Sequence, residues 1–205
     1  MRRWMVWALV AGLIAGCAAP TAPTEPTIDS GPLPSSTSTQ AAAQPVVAPT
    51  LEPAPALPMV LRSPHFEAGG EIPPVHTCDG ENTSPELAWE NVPPGTAALA
   101  LVFDDPDAGH WVHWVAYDLT AELGGLPAGM RSELPVGGRL GSNTWGKLEY
   151  GGPCPPTGRH RYVFTLYALD SQLGLPSGAT AEDLAAAAEG HILATAELAG
   201  TYECG

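Results

Sequence analysis

The stretch ALALVFDDPDAGHWVHWVAYDL, residues 98–119, contains two apolar runs separated by an acidic turn. The first run, residues 98–103, is short and continuous, which indicates a buried β-strand. It stops where Asp105 and Asp107 flank a proline, a composition typical of turns. The second run, residues 111–119, is rich in aromatic and β-branched residues and predicts another strand.

Alternation along the strands assigns their side chains to faces, because successive residues of a strand point to opposite sides. One face of the 111–119 strand is expected to carry Trp111, His113, Val115 and Tyr117. A third strand is predicted over residues 160–169. One face of that strand is expected to carry His160, Tyr162, Phe164 and Leu166.

One helix is indicated near the end of the chain. Thr180 and Asp183 resemble a capping box, and Gly190 is a typical helix stop. Asp-Gly, Pro-Pro and Gly-Gly turns separate the other segments. This pattern predicts a mostly β fold, an antiparallel β-sandwich with one or two peripheral helices.

Size and charge limit the function classes. The 205 residues are 44% hydrophobic, enough for a packed core, and carry 8 basic against 22 acidic residues. Nucleic-acid binding needs a basic surface that displaces counterions, so a net charge of -14 argues against a nucleic-acid partner.

The first residues resemble a bacterial lipoprotein signal. Arg2 and Arg3 precede an apolar run, residues 4–15, that is too short to span a bilayer. The run ends in Ile14-Ala-Gly-Cys17, which looks like a lipobox with Cys17 as the lipidated residue. Residues 1–16 are therefore predicted to be a signal peptide; the alternative is an ordinary cleaved signal with an incidental cysteine. Ala18 favours the outer membrane by resemblance.

Residues 17–58 are predicted to be the lipidated cysteine followed by a disordered Pro/Thr/Ala-rich tether. Residues 18–58 contain ten prolines and no Phe, Trp or Tyr, so they cannot bury enough apolar area to offset their ordering entropy. As a flexible coil they would span roughly 35 Å. A stalk packed on the domain is the alternative. Residues 59–205 then form one domain of ordinary size.

Three polar clusters carry the candidate chemistry: the Asp105-Pro-Asp107 turn, His113, and a Gly/Pro loop leading to His160 and Tyr162. If they meet at one sheet edge, a carboxylate, two imidazoles and a phenol surround one hole. Imidazole and phenol donate hydrogen bonds to oxyanions. A carboxylate behind a histidine would fix its tautomer and raise its pKa.

Other interpretations of these residues stay open. Each histidine could be a satisfied core residue, and Asp105, His113 and His160 could hold iron. Ser142 lacks the Gly-x-Ser-x-Gly pattern of a nucleophile elbow. Trp89 and Trp145 are expected in the core, while Asp79, Glu81, His65, His76 and His191 are expected to be structural or solvated. His110 lies close enough in sequence to touch the rim of the site.

Ordered motifs run through nearly the whole domain. They are Leu61-Arg-Ser63, His76-Thr-Cys-Asp-Gly-Glu-Asn-Thr-Ser-Pro85, Asp105-Pro-Asp-Ala108, Trp111-Val-His-Trp114, Gly141-Ser-Asn143, Gly152-Pro-Cys-Pro-Pro156, His160-Arg-Tyr162 and Gly190-His-Ile-Leu-Ala194. The domain resembles the phosphatidylethanolamine-binding protein family, in its bacterial, Raf kinase inhibitor-like branch.

The resemblance implies a β-sandwich with a small pocket for phosphate-like anions. The ligand-binding residues it implies are Asp105, Asp107, His113, His160 and Tyr162, with Pro155 or Pro156 lining the rim. Gly109 stands where family members usually have proline, so a looser rim is expected. The C-terminus lacks the basic residue with which relatives often end, and the helix that modulates pocket access in eukaryotic members has no clear counterpart.

The cysteine pattern fits export, which permits disulfides. Cys78 and Cys154 lie in two of these motifs and are expected to pair, and the alternative places Cys204 in the bond. With Cys17 carrying lipid, one thiol among Cys78, Cys154 and Cys204 remains free in either case.

The expected function is a membrane-tethered, extracytoplasmic binding module that is not an enzyme and has no cofactor or metal. Its partners would be a small anionic ligand or phospholipid head group, and the membrane through the N-terminal lipid. The expected location is the bacterial cell envelope: the periplasmic face of the outer membrane, or the outer face of a single membrane. The alternatives are a protein-interaction module, such as a protease inhibitor, and a hydrolase using His113 or His160.

Overall fold

The computed structural model describes residues 57–135 and 137–205. The predicted signal peptide, Cys17 and nearly all of the predicted tether lie outside these residues, so those expectations remain predictions. No helix in the part of the chain that the structure describes is long and apolar enough to cross a membrane.

Eight strands and one α-helix make up the regular structure of the described residues. The strands are β1 Val60–Arg62, β2 Leu87–Glu90, β3 Ala98–Asp105, β4 Trp111–Leu119, β5 Gly125–Leu126, β6 Arg139–Leu140, β7 Arg159–Leu169 and β8 Ile192–Glu203. The helix α1 is Ala181–Ala188, and short 3-10 turns cover Pro74–His76 and Pro106–Ala108. The sequence therefore predicted β3, β4, β7 and α1 close to their observed bounds.

The strands form two antiparallel sheets. The larger sheet has the order β6-β4-β3-β7-β8 and the smaller has the order β1-β2-β5. Leu61 and Trp89 of the small sheet share one buried cluster with Phe103 and Phe164 of the large sheet. The rings of Phe103 and Phe164 stack with centroids 3.8 Å apart. The mostly β sandwich predicted from the sequence is confirmed.

The outer face of the large sheet is covered by α1 and the segment before it. Val115 and Tyr117 of β4 form a second buried cluster with Leu184 of α1. The capping box is present, because Thr180 accepts from the Asp183 amide while the Asp183 carboxylate accepts from the Thr180 amide. The capping box starts α1 at a position from which Leu184 reaches the sheet.

His113 occupies a β-bulge that the alternation rule could not predict. Phe103 pairs with Trp114 and Asp104 pairs with Val112, which leaves His113 without a partner in the ladder. The extra residue turns His113 toward the ring of Phe103, 5.3 Å away between centroids. The prediction of one face carrying both His113 and Val115 is therefore wrong, because a bulge interrupts the period of two.

Candidate functional site

Asp105 ends β3 and organises the turn that follows. One carboxylate oxygen accepts from the Ala108 amide at 3.1 Å, and the other accepts from Nδ1 of His160 at 2.7 Å. Pairing of β3 with β7 brings the two residues together, although they are 55 positions apart in sequence. The carboxylate is nearly buried, so its charge is compensated locally by the turn amide and the imidazole.

His113 presents one ring nitrogen to the protein and leaves the other without a partner. Nδ1 donates to the carbonyl of Gly151 at 2.7 Å, and the Gly151 amide donates back to the His113 carbonyl. Among the described residues, no hydrogen bond engages Nε2 of His113. Burial lowers the pKa of His113, against the opposing effects of the Gly151 carbonyl and the Asp105 charge. The neutral ring therefore offers Nε2 as an acceptor at neutral pH.

Tyr162 carries a buried hydroxyl with no hydrogen-bond partner among the described residues. The side chain is 0% exposed, and its ring meets that of His113 edge-on at 5.3 Å. Burial, followed by the nearby Asp105 charge, raises the pKa of Tyr162 well above its ordinary value of 10.0. The hydroxyl keeps its proton and lies near the Asp105 carboxylate and the Cys154 backbone, but its geometry makes a hydrogen bond to neither. Buried polar groups are nearly always paired, so the donor is available to a ligand.

These side chains surround a cavity of 310 Å³. It is lined by Asp105, Ala108, Trp111, His113, Trp145, Cys154, Pro156 and Tyr162. Four of the residues singled out from the sequence are thus brought together in its wall: Asp105, His113, Pro156 and Tyr162.

Three other residues singled out from the sequence do not line this cavity. His160 stands behind Asp105 and positions its carboxylate. Asp107 is exposed and accepts from the Arg161 amide at 2.7 Å, which ties the turn to β7. Pro155 is buried beside Pro156 in the loop. His160, Asp107 and Pro155 therefore lie around the cavity wall and support the residues that form it.

Two tryptophans at the mouth were missed by sequence reasoning. Trp111 is 38% exposed and Trp145 is 45% exposed, and their rings meet edge-on at 5.6 Å. The expectation that Trp145 is a core residue is wrong, whereas Trp89 is buried as expected. Trp145 lies in an irregular loop where no periodicity indicates burial. The sequence feature that could have indicated exposure was the position of Trp145 in a turn, between the Gly141-Ser-Asn143 motif and Gly146.

The expected contact of His110 with the rim is not observed. Nδ1 of His110 bonds the Asp104 carboxylate at 2.6 Å on the protein surface. Ser142 also lies outside the cavity lining and donates its hydroxyl to the Asn143 carbonyl. Neither residue adds a group to the candidate site.

A disulfide joins Cys78 to Cys154, as the sequence predicted. The bond closes a span of 76 residues, which stabilises the fold by about 4 kcal/mol in the chain-entropy view. It fastens the loop carrying Cys154 and Pro156, which line the cavity, to the segment after the first 3-10 turn. A backbone hydrogen bond from the Cys78 amide to the Pro153 carbonyl, 3.0 Å, runs beside it.

A sequence profile described as phosphatidylethanolamine-binding protein matches residues 62–203. The chain belongs to the phosphatidylethanolamine-binding protein family. The match begins in β1 and ends with β8, so it spans both sheets and every residue lining the cavity.

Curated relatives support this family membership. The UPF0098 protein of Methanothermobacter thermautotrophicus is 47% identical over 151 residues, covering 72% of this chain and 100% of the relative. A Mycobacterium tuberculosis protein, LppC, is 44% identical over 156 residues, covering 74% of this chain and 76% of the relative, and its name describes it as a lipoprotein.

Solved structures of family members share the fold. A Chlamydia trachomatis homologue of phosphatidylethanolamine-binding protein has 40% identity and a TM-score of 0.68, covering 72% of this chain and 99% of that one. YbcL of Escherichia coli, described as a member of the mammalian family, has 30% identity and a TM-score of 0.68, covering 73% and 100%.

Proposed function

We propose that residues 59–205 form a non-catalytic binding module whose cavity takes a small oxyanion of the phosphate-monoester class, such as phosphoethanolamine, the phosphorylated head group of a phospholipid released from its diacylglycerol. One observation carries the proposal: the buried Tyr162 hydroxyl has no protein partner and lines the cavity beside His113. Because an unpaired buried donor is costly, a ligand oxygen there would gain a hydrogen bond without breaking one.

The two unused groups match a phosphate that carries one proton. The Tyr162 hydroxyl donates to an anionic oxygen, and neutral Nε2 of His113 accepts from the P–O–H group. A fully ionised phosphate instead requires protonation of His113, after which Nε2 donates. Ligand binding is therefore linked to a proton shared between the phosphate and His113.

The negative charge of the protein does not prevent phosphate binding in the cavity. Charges beyond about 8 Å are largely screened at physiological salt, so nearby groups dominate. The nearest carboxylate, Asp105, is bonded to His160 at 2.7 Å.

The tryptophans at the mouth favour a ligand larger than inorganic phosphate. Trp111 and Trp145 present partly exposed indole rings beside the polar groups. Aromatic faces bind apolar groups and attract cations such as an ammonium group. A phosphate ester with an amine or alkyl substituent would use both parts of the cavity.

A lipid anchor on Cys17 is the proposed means of attachment, with residues 18–58 as the tether that holds the module off the membrane. The support is the sequence around Cys17 and the name of the mycobacterial relative LppC. An extracytoplasmic position also agrees with the disulfide, since disulfides persist in oxidising compartments.

The test is NMR of the histidine side chains during titration with phosphate and phosphoethanolamine. We expect saturable shifts at His113, smaller shifts at His160 through Asp105, and stronger binding of phosphoethanolamine. His65 and His191, which do not line the cavity, serve as controls within the same spectrum. Absence of any His113 shift up to tens of millimolar ligand would contradict the proposal.

A further inference from the structure

Three cysteine sulfurs lie together, and one of the three residues, Cys154, lines the cavity. The Sγ atoms of Cys78, Cys154 and Cys204 are all within 4.8 Å of one another. Cys78 and Cys154 are joined, while Cys204 is a free, partly buried thiol. The thiol and the disulfide that would react in a thiol–disulfide exchange are therefore already close together.

The position of Cys204 is fixed by its neighbours. Tyr202 and Glu203 are the last residues of β8 paired with β7, opposite His160 and Arg159. The Tyr202 hydroxyl also donates to the carboxylate of Asp79 at 2.6 Å. Strand pairing and this hydrogen bond hold the end of β8 against the segment that carries Cys78.

We propose that the three cysteines form an exchange centre in which Cys204 attacks the Cys78–Cys154 disulfide. Cys204 first loses its proton to solvent, and its thiolate then attacks Sγ of Cys78. A Cys78–Cys204 bond forms, the Cys78–Cys154 bond breaks, and Cys154 leaves as a thiolate that takes up a proton. The step is an isomerisation that needs no external oxidant or reductant.

Cys154 is the better leaving group because it is exposed and its thiolate is stabilised by water. The loop around it stays in place after the bond moves. The Cys78 amide still donates to Pro153, and the Gly152 amide donates to Asn82 at 2.6 Å. The exchange therefore places a free thiol in the cavity wall without dismantling the wall. The exchange proposal does not depend on which ligand the cavity binds.

The surroundings of Cys204 set the rate of exchange. Asp79 is the charged group that acts on the thiol, and a Cys204 thiolate would in turn raise the pKa of Tyr162 and Tyr202. Burial and the Asp79 charge raise the pKa of the Cys204 thiol. Because the thiolate is the attacking species, exchange is slow at neutral pH and accelerates about tenfold per pH unit below that pKa.

The test is disulfide mapping of the purified full-length chain without reduction. The protein is incubated at pH 7 to 9 with no added thiol or oxidant, quenched in acid at intervals and digested at acid pH. We expect a Cys78–Cys204 cross-linked peptide together with free Cys154, formed at a rate that is independent of protein concentration. Asp79→Asn keeps an acceptor for Tyr202 but removes the charge, so it should speed exchange at pH 7.

Cys204→Ser is the matched control and should leave Cys78–Cys154 as the sole bond. Alkylating Cys204 before the incubation gives the same block without a substitution. If Cys78–Cys154 is the only intramolecular disulfide at every pH and time, the proposal is wrong. It is also wrong if exchange persists in Cys204→Ser, or if its rate grows with protein concentration.

Discussion

At the scale of single residues, the site combines two buried groups whose neutral forms are favoured by burial. His113 is held neutral, and Tyr162 is held protonated without a partner. Each state has a stability consequence that can be measured without knowing the ligand.

The lowered pKa of His113 predicts loss of stability in acid. The unfolded chain binds a proton near the ordinary histidine pKa of 6.5, while the folded protein resists protonation. The free energy of unfolding should therefore fall as pH drops below 6.5, by at most about 1.4 kcal/mol per pH unit for one proton. The loss should stop below the folded-state pKa.

Urea unfolding between pH 7 and 5 measures this slope. His76 has a pKa lowered by burial as well, so His113→Gln should reduce the slope without abolishing it. Tyr167→Phe removes no group that titrates between pH 5 and 7, since the pKa of Tyr167 is raised above 10.0 by burial; it is the control and should leave the slope nearly unchanged. An unchanged slope in His113→Gln would contradict the assignment of a buried, neutral His113.

Tyr162→Phe should not destabilise the protein. The substitution removes a hydroxyl that has no hydrogen-bond partner, so no protein interaction is lost and a desolvation penalty is relieved. We expect the thermal midpoint to be equal to or higher than that of the unsubstituted chain. A clearly lower midpoint would show that the hydroxyl has a structural partner.

At the scale of elements, the site depends on irregular features between well-predicted strands. Local sequence located β3 by its continuous apolar run, β4 by its aromatic and β-branched residues and β7 by its alternating apolar side chains. It could not locate the two-residue strands β5 and β6, which exist only because of pairing with distant strands. The bulge at His113 and the exposure of Trp145 were missed for the same reason, since both are set by contacts far along the chain.

Asn143 is the residue that shapes the loop carrying Trp145. Its side-chain oxygen accepts from the amides of Trp145 and Lys147, and its side-chain nitrogen donates to the Glu149 carbonyl. Asn143→Ala should cost about 1–3 kcal/mol because buried backbone groups lose their partners. It should also weaken phosphoethanolamine binding by releasing Trp145 from the mouth.

Asn143→Asp is the matched variant for this prediction. It keeps the two hydrogen bonds accepted from the Trp145 and Lys147 amides, but repulsion between oxygens replaces the hydrogen bond to the Glu149 carbonyl. Its ligand affinity should therefore stay closer to that of the unsubstituted chain. Equal affinities in all three proteins, measured by calorimetry, would argue against a role for the Trp145 loop in binding.

At the scale of the whole molecule, a family domain of two packed sheets follows a predicted lipid anchor and tether. The ordered motifs identified the family and the fold from sequence, because many short matches in the same order rarely arise by chance. The geometry of the cavity was less predictable. Gly152, for example, is required by packing: a Cβ there would lie 2.3 Å from the His76 carbonyl oxygen, a contact that the sequence alone does not indicate.

A lipid anchor on Cys17 predicts that the whole molecule partitions into detergent rather than water. Expressed in a bacterial host, the full chain should enter the detergent phase in a Triton X-114 separation, and mass spectrometry should find a diacylglycerol adduct on Cys17. Cys17→Ser should move the protein to the aqueous phase. An unsubstituted chain found wholly in the aqueous phase, with an unmodified Cys17, would contradict the anchor.

The most direct test of the binding site is calorimetric titration of phosphoethanolamine into the unsubstituted chain, Tyr162→Phe and Tyr167→Phe. Tyr167 lies on the same strand but packs against the second buried cluster, so it is the matched control. We predict that Tyr162→Phe weakens binding about tenfold or more, as for a lost hydrogen bond to a charged group, while Tyr167→Phe binds normally. Equal affinity in all three proteins, or no binding in any of them, would contradict an oxyanion site at Tyr162.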